Sequence, residues 1–301
     1  MGIISWPKKP IKALGVYFGH DRTEVKKLNW DNKLEKIEEL LKGWKKRFLT
    51  IFGKVTILKT LVISKVTFLA SMITVPSDIL RRLNNILYEF LWGGKRGKIK
   101  RAIVINKAEK GGINMIDIES MVKALKCRWV HRLMRSCDET WKIVAEYYFK
   151  DYGGSKLIFC YNIDKRGLKL MTKKLPSFYR EILTNWYDFR NQDVQKKWTP
   201  NSIGEQIIWG NKFIQSDNKP LFFQEWIEAG ILYVADVFQN GQLIQHEYVL
   251  NKLKCKRNWI SQYVVLKKAI PKSWWKIMKS VRHRINIRKG EREIIQRDSN
   301  G

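Results

Sequence analysis

Few side chains in this sequence are spaced for covalent chemistry. Cys127 and His131 stand one helical turn apart and Cys137 follows, so two ligands could face one metal ion. No fourth ligand with zinc-like spacing follows, and helical periodicity accounts for the pair, so no metal is assigned. No two aspartates are adjacent, so the two-metal arrangement of a polymerase site is missing in its usual form. P-loop, GxGxxG, HExxH and CxxC motifs are all absent. His20, His246 and His283 lack the neighbours of a triad or general base and read as surface or helix-edge residues. No catalytic residue, cofactor or small-molecule substrate is expected.

Phosphate recognition is the chemistry that the residue types favour. The 301 residues carry 58 Lys and Arg against 28 Asp and Glu, a formal charge of +30. A compact body with that surplus repels itself, and a polyanionic partner relieves the strain. A membrane surface would also attract it, but through a basic amphipathic helix or polybasic tail, whereas these cations run along the whole chain. RNA and DNA are therefore the expected partners. One group of candidates is the stretch KRGKIKRAIVINKAEKGG, with Lys95, Arg96, Lys98, Lys100, Arg101, Lys107 and Lys110 against the single acid Glu109. Lys126 and Arg128 on the following helix complete the set. Of the thirteen tryptophans, Trp30, Trp44, Trp92 and Trp129 fall at core spacing, while Trp274 and Trp275, being adjacent, leave one available for a surface.

The elements that must hold these cations are mostly helical. Residues 12–19, KALGVYFG, read as one strand with no obvious partner, which implies a piece of a larger fold. Trp30, Leu34, Ile37, Leu41, Trp44 and Phe48 mark one stripe of a long helix that starts at Asp31–Asn32. Gly53 breaks the pattern before a second helix, Lys54 to Ile73, apolar except for a strip of Thr56, Thr60, Ser64, Thr67 and Ser71. That strip suits close packing or a solvated edge better than contact with a nucleic-acid backbone, though both fit. Pro76 and Ser77-Asp78 open a third helix that Gly93-Gly94 stop. Ala102 to Ile105 fits a short strand, Lys110-Gly111-Gly112 a turn, and Asp117 or Glu119 opens a helix through Leu133. After an aromatic-rich helix near Glu139 to Phe149, Gly153-Gly154 mark the best boundary, and shorter amphipathic pieces follow. These are PSFYREILTNWYDF, LFFQEWIEAGIL, HEYVLNKL, ISQYVVLKKAI and PKSWWKIMK, with a turn at DVFQNGQ and a charged tail after Ser280.

Four scattered cysteines fit a reducing compartment, and the first residues lack the apolar core of a signal peptide. Lys59 and Lys65 interrupt the best candidate for a membrane span, so the expectation is an intracellular protein, in nucleus or cytoplasm, without membrane attachment.

The order KALGVYFG, then the run from WDNKLEKIEELL through VPSDILRRLNNILYEFLWGG to KALKCRWVHRL, resembles the region after the polymerase core in non-LTR (LINE-type) retrotransposon reverse transcriptases, jockey-like elements above all. LPSFYREILTNW, IIWGNKFI and LFFQEWIEAGILYVADVF look like the later part of the same open reading frames. The resemblance implies that the first strand closes the palm and that residues 28–92 form the helical thumb along the template–primer duplex. It places Lys45, Lys46, Arg47, Lys54 and Lys59 in the thumb and Lys95 to Lys110 in a basic connection. The family's catalytic aspartates lie upstream of the matched region, and no endonuclease domain is represented. A truncated copy or partial open reading frame is therefore expected, inactive alone, whose parent polymerase would need Mg and whose palm would act in trans.

The resulting expectation is a mainly α protein. Residues 1–27 end the palm with a strand remnant, 28–94 form the thumb helices, 95–152 the basic connection and helices, and 153–301 a helical C-terminal region. Two other classes fit the residues, a host-adopted helical protein-interaction module and an inert relic.

Overall fold

One apolar helix, walled in by its neighbours, sets the architecture of the N-terminal part. The computed structural model describes residues 9–95, 97, 99–135, 139–190, 198–239, 241–245 and 259–279. The fold is mainly α, with three short antiparallel strand pairs among the described residues. It divides into two compact units, Met1–Lys126 and Cys127–Gly301. The division falls within a helix and not at Gly153-Gly154, where the glycine pair suggested it.

The residues read as one strand instead form a hairpin, β1 (Ile11–Ala13) against β2 (Val16–Phe18). Leu14 and Gly15 both take positive φ, 48° and 81°, the turn that matches the twist of two tightly linked strands. The strand's partner is thus local. Asn29, 2% exposed, clamps the hairpin: its Oδ1 accepts from Tyr17 N at 2.9 Å, and its Nδ2 donates to Tyr17 O at 2.8 Å.

Helix α1 (Arg22–Lys26) begins earlier than expected, because the Asp21 carboxylate, not Asp31–Asn32, caps the free amides of Thr23 and Glu24. A π-helical turn, Lys27–Asp31, leads without a break into α2 (Asn32–Lys45). Trp30, Leu34, Ile37 and Leu41 are buried as their spacing requires. Phe48 is not. The helix ends at Lys45, and the ring is fully exposed beyond it.

Helix α3 (Ile51–Ile57), a π-helical segment (Leu58–Ile63) and α4 (Ser64–Met72) form a second unbroken run. Thr50 Oγ1 accepts from Gly53 N, so Gly53 lies in the first turn and does not separate two helices. Val55, Leu58, Val62, Val66 and Leu69 are each at most 5% exposed. By length and composition this run could cross a bilayer; here its apolar face belongs to the core. Helix α5 (Ser77–Trp92) follows, with Ile79, Leu83, Leu87, Phe90 and Leu91 buried. It ends as a glycine pair dictates: Gly93 and Gly94 adopt φ of 65° and 79° and return their amides to Phe90 and Glu89. Lys26–Asp78 (2.5 Å), Lys45–Glu89 (2.7 Å) and Arg82 with Asp31 and Glu38 (3.4 and 3.3 Å) pair α1, α2 and the π turn between them with α5.

Residues 101–105 are helical, α6 (Arg101–Ile105), and not a strand. Only Val104 is buried while Ile103 is 42% exposed, so one inward anchor per turn replaces alternation. Helix α7 (Ile118–Met134) opens with Asp117 accepting from Ser120 N.

The second unit buries an aromatic core: Phe149 of α8 (Trp141–Phe149), Phe159, Tyr161, Tyr187 of α9 (Ser177–Arg190), Trp209, Trp226 and Trp274. Its polar handles are satisfied. Trp209 Nε1 donates to Ile231 O and Trp226 Nε1 to Gln262 Oε1, both at 2.7 Å. Trp274 is buried, and Trp275 is half-buried with its ring against Phe238. The HEYVLNKL piece and the tail after Ser280 lie outside the described residues.

Val62→Asp should unfold the first unit, since it sinks an unpaired carboxylate into apolar surroundings at a cost of several kcal/mol, about 3 or more; retention of the wild-type melting curve would remove α3–α4 from the core. Asp78 is held below the usual carboxylate range chiefly by its hydrogen bond from Lys26, and Lys26 is raised by the same bond. Their contribution should therefore persist above the unfolded carboxylate value and fade as acid titrates Asp78. Asp78→Asn should lower the urea midpoint at neutral pH and converge with wild type in acid.

Candidate nucleic-acid interface

The connection between α5 and α7 is a basic loop on an apolar peg. Val104, Met115 and Ile118 are buried, and Val104 O accepts from both Ile113 N and Met115 N. Those anchors leave Lys95, Lys100, Arg101, Lys107 and Lys110 exposed on short, backbone-bonded turns. The Arg101 guanidinium lies 4.5 Å from the ring centre of Tyr88, a cation–π contact that orients its charge. Burial pushes the Tyr88 hydroxyl up, while Arg101 pulls it down.

Two glycines build this loop for different reasons. Gly111 has φ +73° with open space around a would-be Cβ. At Gly112 a Cβ would sit 2.0 Å from the Asn106 carbonyl oxygen, so the backbone itself fills the side-chain position. The close approach is held by Gly112 N donating to Lys107 O at 3.1 Å and Asn114 N to Asn106 O at 2.8 Å.

The other candidates separate sharply. Lys46 and Arg47 are exposed, and Arg47 stacks 4.6 Å from the ring centre of Trp44. Beside them Phe48 and Phe52 are 108% and 60% exposed, a pair of rings whose π-faces suit base stacking. The heptad pattern concealed Phe48, because it continues the stripe by spacing after the helix has ended. Lys45 is held by Glu89, whose carboxyl the contact lowers. Lys54 Nζ donates to Leu91 O at 3.2 Å, closing the C-terminal end of α5 where a cation is favoured. Lys59 is half-buried in the π segment. Arg128 is exposed on α7 in the second unit. Arg96 and Lys98 lie outside the described residues.

Lys126 is a correction. Its side chain is fully buried, and Nζ donates to Ile73 O at 3.1 Å, just past the end of α4. An ammonium sequestered on a helix-end carbonyl is a structural cap and presents no charge to a ligand.

The hydroxyl strip also turns inward upon its own helix. Thr56, Thr60, Ser64 and Thr67 donate to the carbonyls of Phe52, Thr56, Thr60 and Ile63 at 2.6–3.1 Å. With their hydrogens committed, these oxygens offer a phosphate only lone pairs. Cys127 is half-buried, its thiol raised by burial and by Asp188, while His131 is exposed. Among the described residues no three His, Cys, Asp or Glu converge on a metal position.

No protein-family model matches the chain. It is 28% identical over 194 residues to a putative ribonuclease H protein of Arabidopsis thaliana, covering 62% of this chain and 29% of that protein. It is 24% identical over 189 residues to an uncharacterized 149 kDa protein of the transposon TX1 of Xenopus laevis, covering 61% of this chain and 14% of that protein. The chain therefore shares sequence with transposon-encoded protein, and the aligned part spans less than a third of either relative.

Gly112→Ala should destabilise the first unit by about 3 kcal/mol, the upper end of ordinary substitutions. Gly111→Ala should cost about 1 kcal/mol, for its positive φ alone. Equal losses in urea melts would refute the close packing at Gly112.

Proposed function

We propose that the chain is the post-polymerase part of a retrotransposon RNA-directed DNA polymerase, with residues 28–94 as its thumb. On this reading it holds template–primer nucleic acid by electrostatic, weakly sequence-selective contacts and does not polymerise by itself. The observation that carries the reading is the basic connection, with five described cations turned to solvent by the buried Val104 peg and one acid, exposed Glu109, among them. Exposed Lys46, Arg47, Phe48 and Phe52 supply the combination of charge and rings that single strands and hybrids recruit. Similarity to a transposon TX1 protein and to a putative ribonuclease H protein supports a mobile-element origin. A polymerase palm would be its partner, and the setting would be the nucleus or cytoplasm.

A second reading, a helical protein-interaction module, is favoured by one observation. Ile143, Val144 and Tyr147 expose 67%, 53% and 65% of their surface on one face of α8. Such binding would be weakly sensitive to salt.

The test is binding of the full chain to a labelled RNA–DNA hybrid over a salt series. Affinity should fall by about three to five decades between roughly 50 and 200 mM salt if six to ten phosphates are neutralised. Replacing Lys95, Lys100, Arg101, Lys107 and Lys110 by Ala should weaken binding and flatten that slope. Salt-insensitive or absent binding would overturn the reading in favour of the interaction module.

A further inference from the structure

Helix α2 and the π turn that leads into it sort charges onto two flanks. On one, Asp31 and Glu38 reach Arg82 of α5, and Lys45 reaches Glu89. On the other, Lys33 and Lys36 stand one turn apart. Lys33 Nζ donates to the backbone carbonyl of Lys65 on α4 at 3.1 Å, which brings two helices' lysines together. The hairpin adds a fourth: Lys12, directly opposite Tyr17 in the ladder, places its Nζ 5.4 Å from the centre of that ring. The hairpin is in turn locked by Asn29, so Lys12 is positioned and not merely tethered.

We propose that Lys12, Lys33, Lys36 and Lys65 form a second phosphate-binding surface that tracks the backbone of a polynucleotide strand. It deepens the proposed nucleic-acid reading and rests on it. Among the described residues none of the four ammonium groups pairs with a carboxylate; Glu39, one turn from Lys36, is exposed and unpaired with it. Asp31 and Glu38 are instead committed to Arg82 on the α5 side. The charges also feel one another. Lys33 is held below the usual lysine range first by burial, then by Lys65, Lys36 and Lys12. A strand of phosphates laid across them would relieve that repulsion. Three elements contribute the four charges, and Lys12, Lys36 and Lys65 are exposed, so they suit successive phosphates along a chain. Ammonium groups are point charges without a guanidinium's fork, so the contact would carry no base preference.

The experiment uses the full chain with labelled single-stranded RNA and an RNA–DNA hybrid. The triple variant Lys12→Ala, Lys36→Ala, Lys65→Ala spares Lys33, whose hydrogen bond joins two helices. It should keep the wild-type melting curve, and the log–log salt slope should fall by about 2 to 3, roughly 0.7–0.9 per lost phosphate contact. At low salt the affinity should drop by about 10- to 100-fold. In wild type, bound RNA should also shield Lys12, Lys36 and Lys65 from amine-reactive labelling read by mass spectrometry. If wild type binds but the slope and labelling do not change, this surface is wrong while the nucleic-acid reading stands. If wild type binds no polynucleotide, both fall. If the triple variant loses binding only to anionic phosphatidylserine vesicles, the surface belongs to a membrane and the proposal is overturned.

Discussion

The N-terminal unit depends on keeping one apolar helical run, residues 51–72, out of water. Each buried Leu or Val along it contributes about 1.5–3 kcal/mol by removal of apolar surface. That burial requires α2 and α5, and the helix ends require closure, since terminal carbonyls lack partners in the helix. Two lysines distant in sequence meet that demand, Lys54 on Leu91 O and Lys126 on Ile73 O. Basic side chains are therefore part of how this unit folds, before any ligand is considered.

This explains why formal charge alone overstates the number of cations that face solvent free of partners. A chain with 58 cations and 28 acids uses some lysines as helix caps and some in pairs to its few carboxylates, and only the remainder faces solvent uncommitted. Lys45, Lys54 and Lys126 fall in the first two groups; Lys46, Lys95, Lys100, Lys107 and Lys110 fall in the third.

Much of the fold was legible because its signals are local. Apolar spacing located α2, the α3–α4 run, α5 and α7, and the glycine pair located the end of α5. What escaped depends on groups brought together from far apart. Asp21 outcompetes Asp31 as a cap because its side chain meets free amides, while Asp31 lies inside a continuing turn. Periodicity carries through Phe48 because it cannot register where hydrogen bonding stops. The strand at Ala102 to Ile105 was a propensity reading overridden by a single inward anchor. Lys126 reads as a surface lysine in sequence, since only the fold delivers a carbonyl to it from residue 73. The cluster at Lys33 was invisible for the same reason: its members come from three separate elements.

Two π-helical turns, Lys27–Asp31 and Leu58–Ile63, sit in helices that share the first unit's core. Such a turn accommodates about one residue more than an α turn, so it acts as a phase shift in the screw of the helix. Everything downstream is rotated by roughly 100° relative to an uninterrupted α-helix. The outward bearing of Lys65 and the inward bearing of Val66 and Leu69 are thus set upstream, by where the extra residue is stored. Lineages of this chain that gained or lost one residue there would keep every amino acid of α4 yet present a different face to solvent. The length of a single turn, as much as the identity of any lysine, then decides which side chains of α4 face solvent.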